Sequence, residues 1–223
     1  MAGGARWATF DCYGTLIDWG GGIRRELARL FGDHEAPRLL ERYHALEPLV
    51  QREDPARSYR DVLTETLTRL AADEELDLPE GERGTLARSL PEWEPFAEVP
   101  AALADARERG WRLAILSNTD RDFLDASTGS IGVPFDLTVV ASEIGSYKPA
   151  HRHWDEFFAR SDAERARHVH VAASLFHDIV PSRELGLRSI WINRLGERAD
   201  SEPTRELPDL GRLAETLDEL APA

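Results

Sequence analysis

The segment Phe10-Asp11-Cys12-Tyr13-Gly14-Thr15-Leu16-Ile17-Asp18 is the most informative part of this sequence. It follows a short apolar strand that we predict from Trp7 to Cys12, and it turns at once into a glycine. The aspartate therefore stands at the carboxyl end of a strand, the edge where ligands bind in an open parallel α/β sheet. This position makes Asp11 the candidate nucleophile.

The residue two positions after Asp11 narrows the chemistry. Tyr13 has no charge, is a poor ligand for a hard cation and is a poor proton donor at neutral pH. A reaction that needs a second acid beside the nucleophile is therefore disfavoured. Only Asp11 and Asp178 are evident acidic ligands for Mg²⁺, so we predict no required metal and no cofactor.

Composition excludes several classes of protein. The 223 residues carry 41 acidic and 27 basic side chains, a net charge of -14, which disfavours binding to nucleic acid or to anionic lipid. A single cysteine cannot form an intramolecular disulfide, and we find neither an apolar signal region nor a run long enough to span a membrane. We expect a cytoplasmic protein.

The pattern along the chain predicts an α/β protein with a Rossmann-like parallel sheet and an inserted helical cap. We assign residues 1–18 and 95–223 to the core and residues 19–94 to the cap, in which Tyr59, Val62, Leu63, Leu67 and Leu70 have helical spacing. We expect Gly20 to Gly22 to act as a hinge and residues 197–206 to form a surface loop. After the first strand, the predicted strands are Trp111 to Ser117, Leu137 to Ala141, His168 to Ala173 and Arg188 to Asn193. Helices are predicted at Ala101 to Arg109 and Asp209 to Leu220.

Further polar side chains follow the other predicted strands. Ser117 and Asn118 end the second strand, Lys148 comes shortly after the third, and Asp178 comes after the fourth. Lys148 is the only lysine in the chain, which suits a compact ammonium in a tight anionic pocket. Because a parallel sheet brings such strand ends together, we expect these residues to meet Asp11.

This ordered set resembles the haloacid dehalogenase superfamily, whose motifs are Asp-x-x-Gly-Thr, a strand ending in Ser or Thr, and Lys-Pro. Tyr13 and Leu116-Ser117-Asn118 are similar to the L-2-haloacid dehalogenase branch, as is the helical insert. Of the branch's fourth motif, Ser174 and Asp178 match and Leu175 replaces an asparagine.

The resemblance implies a role for each residue. Asp11 attacks a substrate carbon, Lys148 balances charge, and Asp178 orients or deprotonates water. Arg42 of the cap, at the family's distance from the first motif, would hold the departing halide. The remaining candidates for substrate contact are Tyr13, Thr15, Ser117, Asn118, Ser174 and His177. His177 could also be a merely exposed loop residue.

Leaving-group chemistry supports the same branch. A halide departs without a proton, whereas a phosphatase must protonate an alkoxide. We therefore predict a hydrolase that displaces halide from a small, anionic 2-haloalkanoic acid through an aspartyl ester. The alternatives are a Mg²⁺-dependent phosphomonoester hydrolase, a hydrolase of another small carboxylate such as a strained cyclic amino acid, and a noncatalytic binding module. A homodimer is expected only because such assemblies are common.

The histidines are predicted to be structural. His151 and His153, like His168 and His170, have a spacing that could suit a metal, but no cysteine or acidic partner completes a zinc pattern. We expect His168 and His170 to begin a strand at polar positions that face outward.

Overall fold

The structure, a computed structural model, describes residues 4–198 and 201–223. Residues 1–3 of the predicted core and residues 199 and 200 of the predicted loop lie outside those ranges. Six strands form one parallel sheet in the order β3-β2-β1-β4-β5-β6. The strands are β1 (Arg6–Phe10), β2 (Trp111–Ser117), β3 (Leu137–Val140), β4 (His168–Ala172), β5 (Arg188–Ile192) and β6 (Arg205–Leu207).

The strand order places the carboxyl end of β1 at the centre of the sheet. Phe10 is paired with Ile115 of β2 on one side and with Val171 of β4 on the other. The chain turns back across the sheet between β3 and β4, so the direction of strand order reverses between β1 and β4. Ligands bind at such a switch point in doubly wound sheets, and Asp11 follows β1 there.

The α/β prediction is confirmed, and the five predicted strands agree with the structure to within two residues at either end. The sixth strand contradicts the prediction of a plain loop at residues 197–206. It has three residues, of which Arg205 and Glu206 are exposed, and it lies at the edge of the sheet. A short, charged edge strand has no apolar run by which sequence reasoning could find it.

Helices surround the sheet and supply the insert. They are α1 (Trp19–Phe31), α2 (Ala36–Glu53), α3 (Tyr59–Asp73), α4 (Thr85–Ser89), α5 (Val99–Glu108), α6 (Arg121–Ile131), α7 (Ala141–Ile144), α8 (Arg152–Arg160), α9 (Val180–Glu184) and α10 (Leu213–Leu220). Helices α1 to α4 lie between β1 and α5 in the chain. The predicted helical spacing is confirmed in α3, whose five apolar positions are all buried. The terminal helix begins later than predicted. No helix in the described ranges is long and apolar enough to cross a membrane.

The three glycines that were predicted to form a hinge are helical. Gly20 to Gly22 lie inside the first turn of α1, where the Asp18 carboxylate accepts a hydrogen bond of 2.9 Å from the Gly21 amide. A Cβ at Gly22 would lie 2.4 Å from the ring of Trp93. Gly22 is therefore needed for close packing.

The insert is fastened to the core beside the carboxyl edge of the sheet. Asp120, just before α6, accepts hydrogen bonds of 3.0 Å from the amides of Tyr59 and Arg60 and so caps α3 from the core side. The hydroxyl of Tyr147 donates to the carbonyl of Arg57 at 2.8 Å. These bonds hold the loop between α2 and α3 against the segment that carries Lys148.

Candidate active site

A single ammonium joins two carboxylates at the centre of the sheet. Lys148 Nζ lies 2.9 Å from Asp11 Oδ1 and 2.6 Å from Asp178 Oδ1, and it donates a third hydrogen bond of 2.8 Å to the Leu116 carbonyl. Its side chain is only 1% exposed. All three donors of the ammonium are thus used, and the expectation that these strand ends meet agrees with the geometry.

The backbone and side chain of Asp11 are both held in place. Its amide donates to the Val171 carbonyl at 3.1 Å. Its Oδ2 accepts a hydrogen bond of 2.9 Å from the Thr15 hydroxyl, which itself accepts one of 2.9 Å from the Ala173 amide. Thr15 is therefore engaged with Asp11 and with the residue that follows β4, so it orients Asp11 instead of being free to hold a substrate carboxylate.

Asp178 is presented by a π-helical turn, Leu175–Ile179, directly after β4. Ser174 caps this turn: its hydroxyl accepts from the His177 amide at 3.1 Å and lies 3.1 Å from His177 Nδ1. Asp178 Oδ1 accepts a hydrogen bond from Lys148 Nζ and lies 3.0 Å from His170 Nε2. Its Oδ2 is buried and has no hydrogen-bond partner among the described residues, so it is available to a water molecule.

The two carboxyl groups have different acidities. Burial favours the neutral form of both, but Lys148 and His170 together hold the pKa of Asp178 well below its ordinary value. Burial raises the pKa of Asp11 above its ordinary value, and of the described residues only Lys148 and Thr15 stabilise its charged form. Burial opposes the charge on Lys148, yet the two carboxylates raise its pKa and keep it an ammonium. The two carboxylates therefore differ in how readily they accept a proton.

The loop after β2 contributes hydroxyl groups. Ser117 Oγ and Thr119 Oγ1 are buried without partners within the described parts of the chain, so both can donate to an anionic group. Asn118 does something different from what the resemblance implies. Its amide donates to the Lys148 carbonyl at 3.0 Å and accepts from the Lys148 amide at 2.6 Å. Thr119 belongs to none of the sequence motifs and was therefore not predicted as a site residue.

Tyr13 lies in the contact between the insert and the core. Its ring stacks on Tyr59 at a centroid distance of 6.0 Å and meets Trp93 edge to face. Its hydroxyl lies 3.0 Å from Ser127 Oγ, and burial raises the pKa of the phenol. Tyr13 therefore stays a phenol and supplies no acid beside Asp11.

Arg42 lies on the exposed side of α2. Its side chain is 51% exposed and pairs with Glu74 at 3.0 Å, so these contacts do not place it beside Asp11. Another arginine of the insert, Arg57, contacts Tyr147, the residue before Lys148. Arg57 lies in the loop that Tyr147 holds, and its Nη1 is buried without a partner among residues 4–198 and 201–223.

The prediction that His168 and His170 face outward is wrong, because both are completely buried in β4. Helices cover both faces of a parallel sheet, so alternation along a strand does not identify an exposed side. His153 is also buried, and its Nε2 lies 3.1 Å from the Ser117 carbonyl. His177 is half-buried, and desolvation lowers its pKa to about 4, so it is neutral at physiological pH.

Two further observations bear on ligands. In the described ranges, no group of three His, Cys, Asp or Glu side chains is arranged to hold a metal ion. A surface cavity of about 470 Å³ lies at the opposite end of the strands, between Trp7, Arg112 and Asp162. It contains none of the candidate site residues.

Comparison with known proteins matches this arrangement to a family. The profile of the haloacid dehalogenase-like hydrolases matches residues 5–186. The chain belongs to that family. The hydrolase is 29% identical to an (S)-2-haloacid dehalogenase of Pseudomonas sp. over 95% of this chain and 94% of the relative.

Other relatives of this hydrolase include a dehalogenase and a phosphatase. The L-2-haloacid dehalogenase of Xanthobacter autotrophicus, solved with chloropropionic acid covalently bound, has a TM-score of 0.82 at 18% identity and covers 96% of this chain and 98% of its own. A glyceraldehyde 3-phosphate phosphatase of Methanothermobacter thermautotrophicus is 29% identical over 44% of this chain and 45% of the relative. The (S)-2-haloacid dehalogenase of Pseudomonas sp. matches nearly the whole hydrolase, and the phosphatase matches less than half.

Proposed function

We propose that this hydrolase displaces halide from small 2-haloalkanoic acids through a covalent ester of Asp11. The observation that carries the proposal is the single ammonium of Lys148 between Asp11 and Asp178, together with the absence of an acid at Tyr13. The full-length similarity to an (S)-2-haloacid dehalogenase supports the same reaction.

The first step is a displacement at carbon. Asp11 Oδ2 or Oδ1 forms a bond to C2 of the substrate, the carbon–halogen bond breaks, and the halide leaves with the bonding electrons. No proton is needed, which suits a site where the neighbouring Tyr13 is a buried phenol. Thr15 and Lys148 keep the carboxylate aimed at the substrate.

The second step hydrolyses the ester. Water attacks Cγ of Asp11 and gives a proton to Asp178 Oδ2, the carboxyl oxygen that has no partner in the described structure. The bond between Cγ and the ester oxygen, which came from Asp11, breaks, and this oxygen leaves as the product hydroxyl. The product hydroxyl receives one proton, and the second proton passes to solvent. Asp11 is then an ionised carboxylate again.

Because the site is itself negatively charged, an anionic substrate needs hydrogen-bond donors and a cation in order to bind. One ammonium faces two carboxylates, so the site has a net negative charge before substrate arrives. Ser117 and Thr119 have free hydroxyl groups for the substrate carboxylate, and Arg57 has a buried, unpaired Nη1 for the departing halide, all within the described residues. A cation is needed there to offset the repulsion between substrate and site.

The test is halide release from racemic 2-chloropropionate in the presence of a chelator, with the parent protein and with Asp11→Asn. Release by the parent, and none by the variant, is expected. Release of phosphate from phosphomonoesters with Mg²⁺, without any halide release, would replace the proposal with a phosphatase. Binding of 2-chloropropionate without turnover would favour a noncatalytic module.

A further inference from the structure

A chain of buried polar side chains lies beneath the active site. His168 Nε2 is 2.8 Å from Thr9 Oγ1, and Thr9 Oγ1 is 2.8 Å from His170 Nδ1. His170 Nε2 then reaches Asp178 Oδ1 at 3.0 Å. Thr9, His168 and His170 are each fully buried, and the reaction proposed above uses none of them.

The donors and acceptors of this chain can be assigned in one direction. Asp178 is an acceptor, so His170 carries its proton on Nε2 and leaves Nδ1 bare to accept from the Thr9 hydroxyl. Thr9 in turn accepts from His168 Nε2. His168 Nδ1, which has no partner among the described residues, is then a bare nitrogen. The reverse direction would leave a buried N–H there without an acceptor, which is rare in proteins.

This series of hydrogen bonds determines how the Asp178 carboxylate is oriented. Lys148 and His170 both bind Oδ1, at 2.6 and 3.0 Å, and this pair of bonds fixes the plane of the carboxylate. The only carboxylate oxygen left for a water molecule is Oδ2. Thr9 holds the imidazole of His170 from its other side, and Trp154 meets the ring edge to face with a centroid distance of 5.2 Å.

We propose that His170 is a positioning residue for hydrolysis of the Asp11 ester, which it serves by fixing Asp178 so that Oδ2 faces the attacking water. The inference rests on the proposed ester mechanism. It places His170 in the second step alone, because His170 touches Asp178 and the bonds that hold Asp11 come from Lys148, Thr15 and the Val171 carbonyl.

The experiment follows both steps of one turnover by rapid quenching and intact mass, with 2-chloropropionate as substrate. The variants are His170→Leu, which removes the donor to Asp178, and His170→Gln, whose amide can still donate. His151→Leu is the matched control, since His151 lies on the surface and pairs with Glu184. We expect ester formation to stay within about threefold of the parent in every variant. Ester hydrolysis should slow at least about tenfold in His170→Leu, with partial recovery in His170→Gln.

Equal slowing of both steps, or unchanged hydrolysis in His170→Leu, would overturn the inference and leave the ester mechanism standing. If the parent itself forms no ester with any 2-haloacid, both proposals fail. A second measurement does not depend on variants: the nitrogen-15 NMR spectrum of the parent should show a proton on His170 Nε2, the nitrogen that faces Asp178. A proton on Nδ1 alone would contradict the assignment even if all variants fold poorly.

Discussion

The side chain of Asn118 is hydrogen-bonded at both ends to the main chain of Lys148, donating to its carbonyl at 3.0 Å and accepting from its amide at 2.6 Å. These two bonds tie the end of β2 to the segment that delivers the ammonium to Asp11 and Asp178. Asn118 is thereby a support for Lys148, although its position in the sequence suggested a substrate ligand.

Replacement of Asn118 by alanine should therefore lower kcat more than it raises KM. Without the two bonds, which contribute about 1 kcal/mol each to stability, the ammonium loses its fixed position between the carboxylates. We expect kcat to fall about tenfold or more, measured by steady-state halide release. A large rise in KM with unchanged kcat would instead identify Asn118 as a ligand of the substrate carboxylate.

Arg57 and Arg42 make a matched pair of arginines in the insert. Arg57→Ala should lower kcat/KM for 2-chloropropionate by about tenfold to a hundredfold, because a charge-assisted hydrogen bond contributes about 1.5–3 kcal/mol. Arg42→Ala should change it less than about twofold, since the exposed pair with Glu74 contributes little. A larger loss of kcat/KM in Arg42→Ala than in Arg57→Ala would instead identify Arg42 as the residue that holds the halide and exclude Arg57 from the site.

Glu47 should make stability depend on pH. It is a buried residue of α2 whose Oε1 has no partner in the described structure, and desolvation raises its pKa to about 7. The folded state therefore binds this proton more tightly than the unfolded state. The free energy of unfolding should fall by up to about 3 kcal/mol as pH rises from the ordinary pKa of a glutamate to the raised value.

Glu47→Gln cannot ionise, so it should gain stability relative to the parent as pH increases from 5 to 8. Urea unfolding at both pH values measures this difference, with the exposed Glu41→Gln on the same helix as control. Identical pH profiles for the parent and Glu47→Gln would show that Glu47 has an ordinary pKa in the folded protein.

Local pattern was sufficient to predict the fold and the centre of the site. Apolar runs that alternate with helical spacing indicate a parallel sheet, and its topology brings strand ends together, so Asp11, Lys148 and Asp178 could be named from sequence. Residues at strand ends are predictable in this way because the sheet itself fixes where they lie.

Side-chain direction could not be predicted where it depends on packing. Arg42 and Tyr43 are adjacent, yet the first is exposed and the second is buried, because a helix turns by about 100° per residue. The sequence indicated that His170 points outward from β4, but helices cover both faces of the sheet and bury this side chain. The partners of Asn118 and Thr15 depend on contacts between segments that are distant in sequence.

The ester at Asp11 is tested most directly by a single turnover in water enriched in oxygen-18, with enzyme in excess over 2-chloropropionate. Attack of water on Cγ of Asp11 puts the label into the carboxylate of that residue, so the first product should be unlabelled at its new hydroxyl. Mass spectrometry of the peptide that contains Asp11 should then show one oxygen-16 replaced by oxygen-18. Label in the product hydroxyl, with none in the peptide, would mean that water attacks the substrate directly and would contradict the account.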